Sequence, residues 1–315
     1  MPVRSAGIAV ALAFALGATG ARAADTKPAE APAPAAAGSK PAKAKKAGQQ
    51  KQGKPEKSDA ATAAGKKPLP AARLDAAREA LAGDDDAAAV AAAGSLGASG
   101  AGNAAEPLAE MLAAGASPSR AEAALDALAK LGGAGALTAP RTFEVLDLYA
   151  GHRAPEIRQR AVKALGTVKD TRVTATLLAR LGDAAPGVRA AAGEALAARR
   201  ERAATPRLFA LVKRGDAGAA GPLAALATPD LIPQVAELSG TVDDGVLASV
   251  MGDYLQRADV PDGLRVDVVR TVARMGGAAA TTALVEYIAS VPAKDNRPSK
   301  REAQRLLDEQ AGAAK

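Results

Sequence analysis

The chain has no cysteine, no tryptophan, one histidine, and only three tyrosines and three phenylalanines among 315 residues. Each scarcity removes a class of chemistry. Without cysteine there is no disulfide framework, no thiolate nucleophile and no attachment point for a lipoprotein's lipid anchor. His152 stands alone, so a multi-histidine metal centre cannot form, and zinc would have to be held by carboxylates only. The few aromatic rings offer no stacking platform for single-stranded nucleic acid. A Gly-rich phosphate loop ending in Lys-Ser/Thr is missing, as are a nucleophile elbow and a paired-carboxylate signature. No catalytic residue, cofactor or metal site is expected, and no nucleic-acid partner.

What is present is alanine and glycine in every segment, in a chain that is 48% hydrophobic but only 2% aromatic. Small side chains fill little volume each, so they suit helices that approach closely and bury surface through many thin contacts. The net charge of +7 is not spread over this material. Twelve basic and four acidic residues lie in positions 1–69; taking them from 41 and 34 leaves 29 basic against 30 acidic residues for 70–315. The positive excess belongs to the N-terminal fifth alone.

That fifth has two parts. Arg4 supplies a positive start, Ala6 to Gly17 is apolar and uncharged, and Ala21-Arg22-Ala23 places small residues where a signal peptidase reads them. Residues 1–23 are expected to be a secretory signal, cleaved before Ala24, because the apolar run is shorter than the roughly 20 residues that span a bilayer. The alternative is an uncleaved anchor. Residues 24–69 are Ala, Pro, Lys, Gly and Gln with almost no large apolar side chain, which predicts a disordered linker. It reads first as a solvated spacer stretched by proline and like charge. Its second reading is an anion tether, with Lys40, Lys43, Lys45 and Lys46 holding lipid or an anionic envelope polymer.

From about Leu69 onward the sequence repeats. Ile157-Arg-Gln-Arg-Ala-Val-Lys-Ala-Leu-Gly166 and Val188-Arg-Ala-Ala-Ala-Gly-Glu-Ala-Leu-Ala197 both follow a Pro-containing turn and lie 31 residues apart. Leu-Gly at 96, 131 and 165 and Leu-Ala at 196 extend the series at spacings of 35, 34 and 31, the length of one helical hairpin. Within one unit, Pro155 suits the first turn of a helix. Ile157, Ala161, Ala164 and Leu165 form one apolar stripe. Gly166 is expected to end that helix in a left-handed conformation. Thr171 to Leu181 is taken as the partner helix, closed by Gly182-Asp183. A hairpin of this kind cannot hide its own apolar face, so it must stack on a neighbour.

These motifs resemble the HEAT-repeat family, in particular its short form found in phycobilisome lyases, strongly over 150–215 and more weakly on either side. The resemblance implies an all-α solenoid of stacked antiparallel helix pairs. Amphipathic stretches Pro222–Leu226, Leu231–Leu238, Val246–Leu255, Leu264–Met275 and Thr282–Ile288 continue it, giving six or seven pairs over 70–291. In 292–315 a charged helix, Pro298 to Gln310, caps the stack.

The polar residues that stand out have structural readings beside functional ones. Arg158 and Arg189 are equivalent, and the resemblance implies pairing with an acid in a neighbouring turn, Asp170 or Asp183. Lys163 and Glu194 are also equivalent, which predicts opposite charges side by side. Gly100-Ala-Gly-Asn-Ala-Ala105 reads as a turn between helices, and Asp84-Asp85-Asp86 as acids at a helix start. Arg199, Arg200, Arg202 and Arg207 form the densest basic patch of the repeats, placed where cations meet unpaired carbonyls.

The resulting expectation is a protein-binding scaffold, exported to the periplasm or beyond, with a protein or peptide held on a concave wall lined by the second helix of each pair. Arg158, Gln159, Lys163, Arg189, Glu194 and Arg200 are the candidate contacts. An envelope spacer tethered through the lysines is one alternative. A bilin-lyase activity, implied by the resemblance alone, is another.

Overall fold

A computed structural model describes residues 67–137 and 140–313, all within one compact unit. The expected signal, most of the expected linker and the four candidate tether lysines lie outside the described residues. Fifteen α-helices and four short 3-10 turns occupy the described chain, and no strand occurs in it. The helices are α1 (Ala71–Ala82), α2 (Asp86–Ser99), α3 (Ala105–Ala114), α4 (Pro118–Gly133), α5 (Pro140–Ala150), α6 (Pro155–Thr167), α7 (Arg172–Arg180) and α8 (Pro186–Ala198). They continue as α9 (Thr205–Lys213), α10 (Ala220–Leu226), α11 (Ile232–Ala236), α12 (Asp244–Gln256), α13 (Asp262–Met275), α14 (Gly277–Ser290) and α15 (Pro298–Ala313).

The chain folds this way because each helix has an apolar stripe and a local stop. In α6, Ile157, Ala161, Val162, Ala164 and Leu165 are buried while Glu156 and Lys163 are exposed. Asp85 caps α2 by accepting from the Ala87 and Ala88 amides at 2.8 and 3.2 Å, which satisfies donors the helix leaves free. Asp86 sits in its first turn, so the acidic triplet has the helix-start role its position suggested. Gly100 takes a left-handed conformation just after α2 (φ 65°), and Asn103 in the next turn bonds both backbone groups of Leu69 at 3.0 Å.

The stacking makes two rows. Even-numbered helices α2 to α14 press against one another in sequence order, and odd-numbered helices α1 to α15 form a second row behind them. Between the rows runs a thin core of fully buried leucines, among them Leu108, Leu125, Leu146, Leu177 and Leu208, each contributing about 1.5–3 kcal/mol of burial. The even row is tight throughout, whereas α5, α7, α9, α11 and α13 barely touch one another. A double row that is close-packed on one side and splayed on the other bends toward the close-packed side. The even helices are therefore the inner row.

Glycine sets that closeness. A Cβ on Gly97 would fall 2.7 Å from Ala127 Cα, one on Gly166 2.7 Å from Ala195 Cβ, and one on Gly132 1.7 Å from Thr167 Oγ1. The expectation that Gly166 ends its helix is corrected here: α6 runs through it to Thr167, and Gly166 is absent from the positive-φ residues. It lies inside the helix because the next inner helix needs the space a side chain would take.

The pairing is also shifted from its sequence reading. Pro155–Gly166 packs more heavily on α5 before it than on α7 after it, so the hairpins are α5/α6 and α7/α8. In chain order seven helix pairs, α1 to α14, precede α15, although α12 packs more heavily on α13 after it than on the short α11 before it; α15 covers α13 and α14 and turns a charged face outward. Glu302 on α15 accepts from Arg305 and Arg270, at 3.0 and 2.8 Å, and these guanidinium groups hold its carboxyl down at about 2.

Candidate partner-binding face

The exposed side of the inner row is a broad strip of small residues with widely spaced charges. On α6 the stripe is Glu156, Gln159, Arg160, Lys163 and Thr167, and on α8 it passes through Ala190 and Glu194. Gly221 and Ala225 stand on α10, Ser249, Gly252 and Asp253 on α12, and Thr282 and Glu286 on α14. Small residues leave helix backbones near the surface, so a chain laid across them comes close to several helices at once.

The six candidate contacts separate into three environments. Lys163 and Glu194 are exposed at equivalent positions of adjacent inner helices and form no ion pair with each other. Gln159 is half-buried beside Gly187 at the start of α8, where an added Cβ would meet its Oε1 at 3.1 Å. Arg160, next to it, is tied back to α4 through Asp126 and, at 3.2 Å, Glu122.

Arg158 and Arg189 bracket loops. Arg158 donates from Nε and Nη2 to the two carboxylate oxygens of Asp183 at 2.9 and 2.7 Å, and from Nη1 to the carbonyls of His152 and Arg153. Arg189 repeats the pattern one hairpin later, with Asp216 at 2.5 Å and the carbonyls of Asp183 and Ala184. The Arg158 guanidinium holds the Asp183 carboxyl below the usual aspartate range, against the opposing pull of burial. Asp170, the other acid named as a partner, instead pairs with Arg172 at 2.8 Å. Asp216 was missed because it follows a helix whose pairing was not legible.

Arg200 follows α8 with φ 56°, the one non-glycine residue in the left-handed region among those described. The Glu201 amide bonds back to Leu196 C=O at 2.9 Å, as the Asp216 amide does to Leu211 C=O around Gly215. Glycine fits that geometry without a Cβ penalty. Arg200→Gly is therefore expected to raise stability by about 0.5–1 kcal/mol, after allowing for the greater freedom of glycine in the unfolded chain. Chemical denaturation monitored by circular dichroism checks this, and a destabilised variant would give Arg200 a contact the geometry lacks.

Two other arginines of the basic patch, Arg199 and Arg207, bond across repeats. Arg199 donates to the carbonyls of Val168 and Asp170, at 2.7 and 3.0 Å, closing the end of α6 from α8. Arg257 does the same from the end of α12, reaching Ala227 C=O at 2.6 Å beyond α10. The cations therefore meet carbonyls of the preceding inner helix, which no local sequence rule reveals.

Two acids overlooked in the sequence share a groove of about 300 Å³ between α12 and α14: Asp253 and Glu286, over a floor that includes Gly252 and Ala283. Asp253 is raised above the ordinary aspartate value, first by lost hydration in the groove and then by Glu286. Asp253, Glu286 and Glu194 form no ion pair among the described residues. Their alignment comes from stacking, since Asp253 and Glu286 lie one repeat length apart. His152 accepts from the Ala154 amide at 3.1 Å and stacks on Tyr149. No metal-holding group of three or more His, Cys, Asp or Glu occurs among the described residues, and none of their helices is long and apolar enough to cross a membrane.

Residues 144–227, from α5 through α10, match the family model for HEAT repeats. Among solved structures, the chain is similar to the complex of CpcE and CpcF of phycocyanin lyase from Nostoc sp. PCC7120, at 19% identity and TM-score 0.41 over 78% of this chain and 96% of that one. It is similar to Kap121p at 14% identity and TM-score 0.49, over 76% of this chain but only 29% of Kap121p. An engineered protein aligns at 17% identity and TM-score 0.33, over 76% and 96% of the two chains. At such identities the likeness concerns fold alone. No curated protein matches the sequence.

Proposed function

We propose that this HEAT-like repeat stack is a protein-binding scaffold, exported from the cytoplasm, which holds a basic segment of a partner protein along its inner face. The observation that carries the reading is the set of unpaired acids on the inner face. Arg158, Arg189, Arg199 and Arg257 are engaged with loops and helix ends, while Glu194, Asp253 and Glu286 point from a surface of Gly, Ala, Ser and Thr without partners among the described residues. Stacked repeats suit such work because their surface grows with repeat number and needs no moving loop. Complementary charge would set the register and speed of docking more than its final strength. Lys163, on the third of the seven inner helices, would discriminate against partners that are basic throughout.

The test is cross-linked capture from envelope fractions with wild type and with Glu194→Lys, Asp253→Lys and Glu286→Lys combined. These side chains are exposed, so the fold is expected to persist. Wild type should capture a defined partner carrying a Lys/Arg-rich segment, and the triple variant should lose most of it. A wild type that captures nothing, or a variant that captures the same partner equally, defeats the reading.

A further inference from the structure

The outer row carries a second surface of opposite charge. The segment from Arg199 to Arg214 holds six cations and one acid, and only part of it is used in packing. Arg199 closes α6, and Glu201 is joined to the Thr174 hydroxyl at 3.3 Å. Lys213 and Arg214, at the end of α9, are exposed and form no ion pair among the described residues. They stand on the rim of a trough of about 680 Å³ between α7 and α9, which pack only lightly on each other.

The trough floor is apolar. Leu181 and Leu211 close it from below, only 2% and 3% exposed, with Leu178 and Ala210 on its two walls. Arg207 reaches from α9 to α7 and donates from Nη1 to Leu178 C=O at 2.7 Å, a single bridge between the two walls. Beyond Arg214 the depression continues past Asp183 and Asp216. Those carboxylates are committed to Arg158 and Arg189, so they do not neutralise the rim.

We propose that this trough is a docking site for an acidic amphipathic helix of a partner protein. Its apolar ridge would enter between α7 and α9, and its acids would meet Arg207, Lys213 and Arg214. An apolar slot flanked by charge of one sign fits the helix-in-groove mode of recognition, in which residues at i, i+3, i+4 and i+7 supply the anchors. The charge complementarity selects an acidic helix over a basic or neutral one. A helix is favoured over an anionic membrane because the leucines are recessed between two helices: a flat headgroup layer would reach the cations and leave the floor untouched. This site is independent of the inner face, which has the opposite charge and lies on the other row.

The experiment titrates the full chain against a labelled helical peptide with Leu at i, i+3, i+4 and i+7 and Glu elsewhere. The same composition with scattered Leu is the control, and phosphatidylserine-containing vesicles form a third arm. Wild type should bind the amphipathic peptide at least about tenfold more tightly than the scattered one, because only the former places its apolar face in the slot. Lys213→Glu with Arg214→Glu should weaken binding about tenfold or more and reduce its salt dependence. Ala210→Arg fills the slot while adding positive charge, so it should weaken binding if the floor is used and strengthen it if charge alone acts. Equal binding of the two peptides, tighter binding by Ala210→Arg, or vesicle binding abolished by the rim variant without peptide preference would overturn the proposal. The triple inner-face variant should bind the peptide as wild type does, which separates failure here from failure of the inner-face reading.

Discussion

Gly132→Ala is expected to destabilise the stack by about 2 kcal/mol, lowering the thermal midpoint by roughly 4–8 °C. The new Cβ would fall 1.7 Å from Thr167 Oγ1, 2.4 Å from Thr167 Cβ and 2.9 Å from Leu137 Cδ1. The hydroxyl can rotate, although that breaks its 2.6 Å bond to Ala164 C=O, but the Cβ is fixed by the backbone of α6. The helices must then separate, and the change propagates along a row that is tight at every step. Helix propensity alone would favour alanine by about 1 kcal/mol, so the sign of the result decides which effect rules. Gly94→Ala is the matched control: it lies inside α2 with nothing within 4 Å of the added Cβ, and should stabilise by up to about 1 kcal/mol. Thr167→Gly in the Gly132→Ala background removes the two nearest clashing atoms and should recover most of the loss. Urea denaturation of the four proteins checks the set, and a Gly132→Ala variant as stable as wild type would mean that the inner row is looser than described.

These glycines also mark where the sequence stops being legible. Its helical spacing of Ala and Leu identifies helices, because each depends on residues within one helix, and the return of Leu-Gly and Leu-Ala at 31–35 residues identifies the stacked-pair fold. Leu165-Gly166 reads equally as a stop or as a close approach, since the missing Cβ serves both. Only a neighbour 29 residues away, Ala195, decides between them. The pairing of hairpins was hidden for a related reason: the connections on either side of α6, 151–154 and 168–171, are equally long. Neither loop length nor periodicity then tells which neighbour is the partner.

The candidate face divides along the same line. Lys163 and Glu194 were found because two aligned repeats point to their position, and Arg158 because its motif recurs. Asp253 and Glu286 belong to helices without the Pro-x-Val/Ile-Arg turn, so nothing local marked them; the stack alone makes them neighbours. Arg257 was silent for the same cause, as its carbonyl acceptors lie 30 and 33 residues back. What a single repeat encodes can be read from sequence, and what two repeats make together requires their spacing in three dimensions.

Arg158→Met is expected to cost about 3 kcal/mol of stability near neutral pH. Its effect arises mainly from what it leaves behind. The Asp183 side chain is 6% exposed and the Arg158 side chain 15%, so methionine can occupy much of the same volume while the carboxylate loses its counter-charge. Asp183 would keep one hydrogen bond, from the Ala185 amide at 2.9 Å. The pH dependence follows from the direction of the shift. In wild type the Asp183 carboxyl titrates below its ordinary 3.8, so its contribution is present above about pH 4 and is lost as pH falls through the depressed folded value. In the variant, burial without the guanidinium raises that carboxyl, so acidification protonates it and relieves the penalty just as wild type begins to lose its benefit. The stability difference should therefore be largest at pH 7 and shrink toward pH 3. Arg158→Met with Asp183→Asn should recover most of the neutral-pH loss, because the amide oxygen still accepts from Ala185 and no charge is left buried. A deficit that stays constant from pH 7 to pH 3, together with no recovery in the double variant, would show that Arg158 acts through its packing and its carbonyl bonds, with the ion pair contributing little.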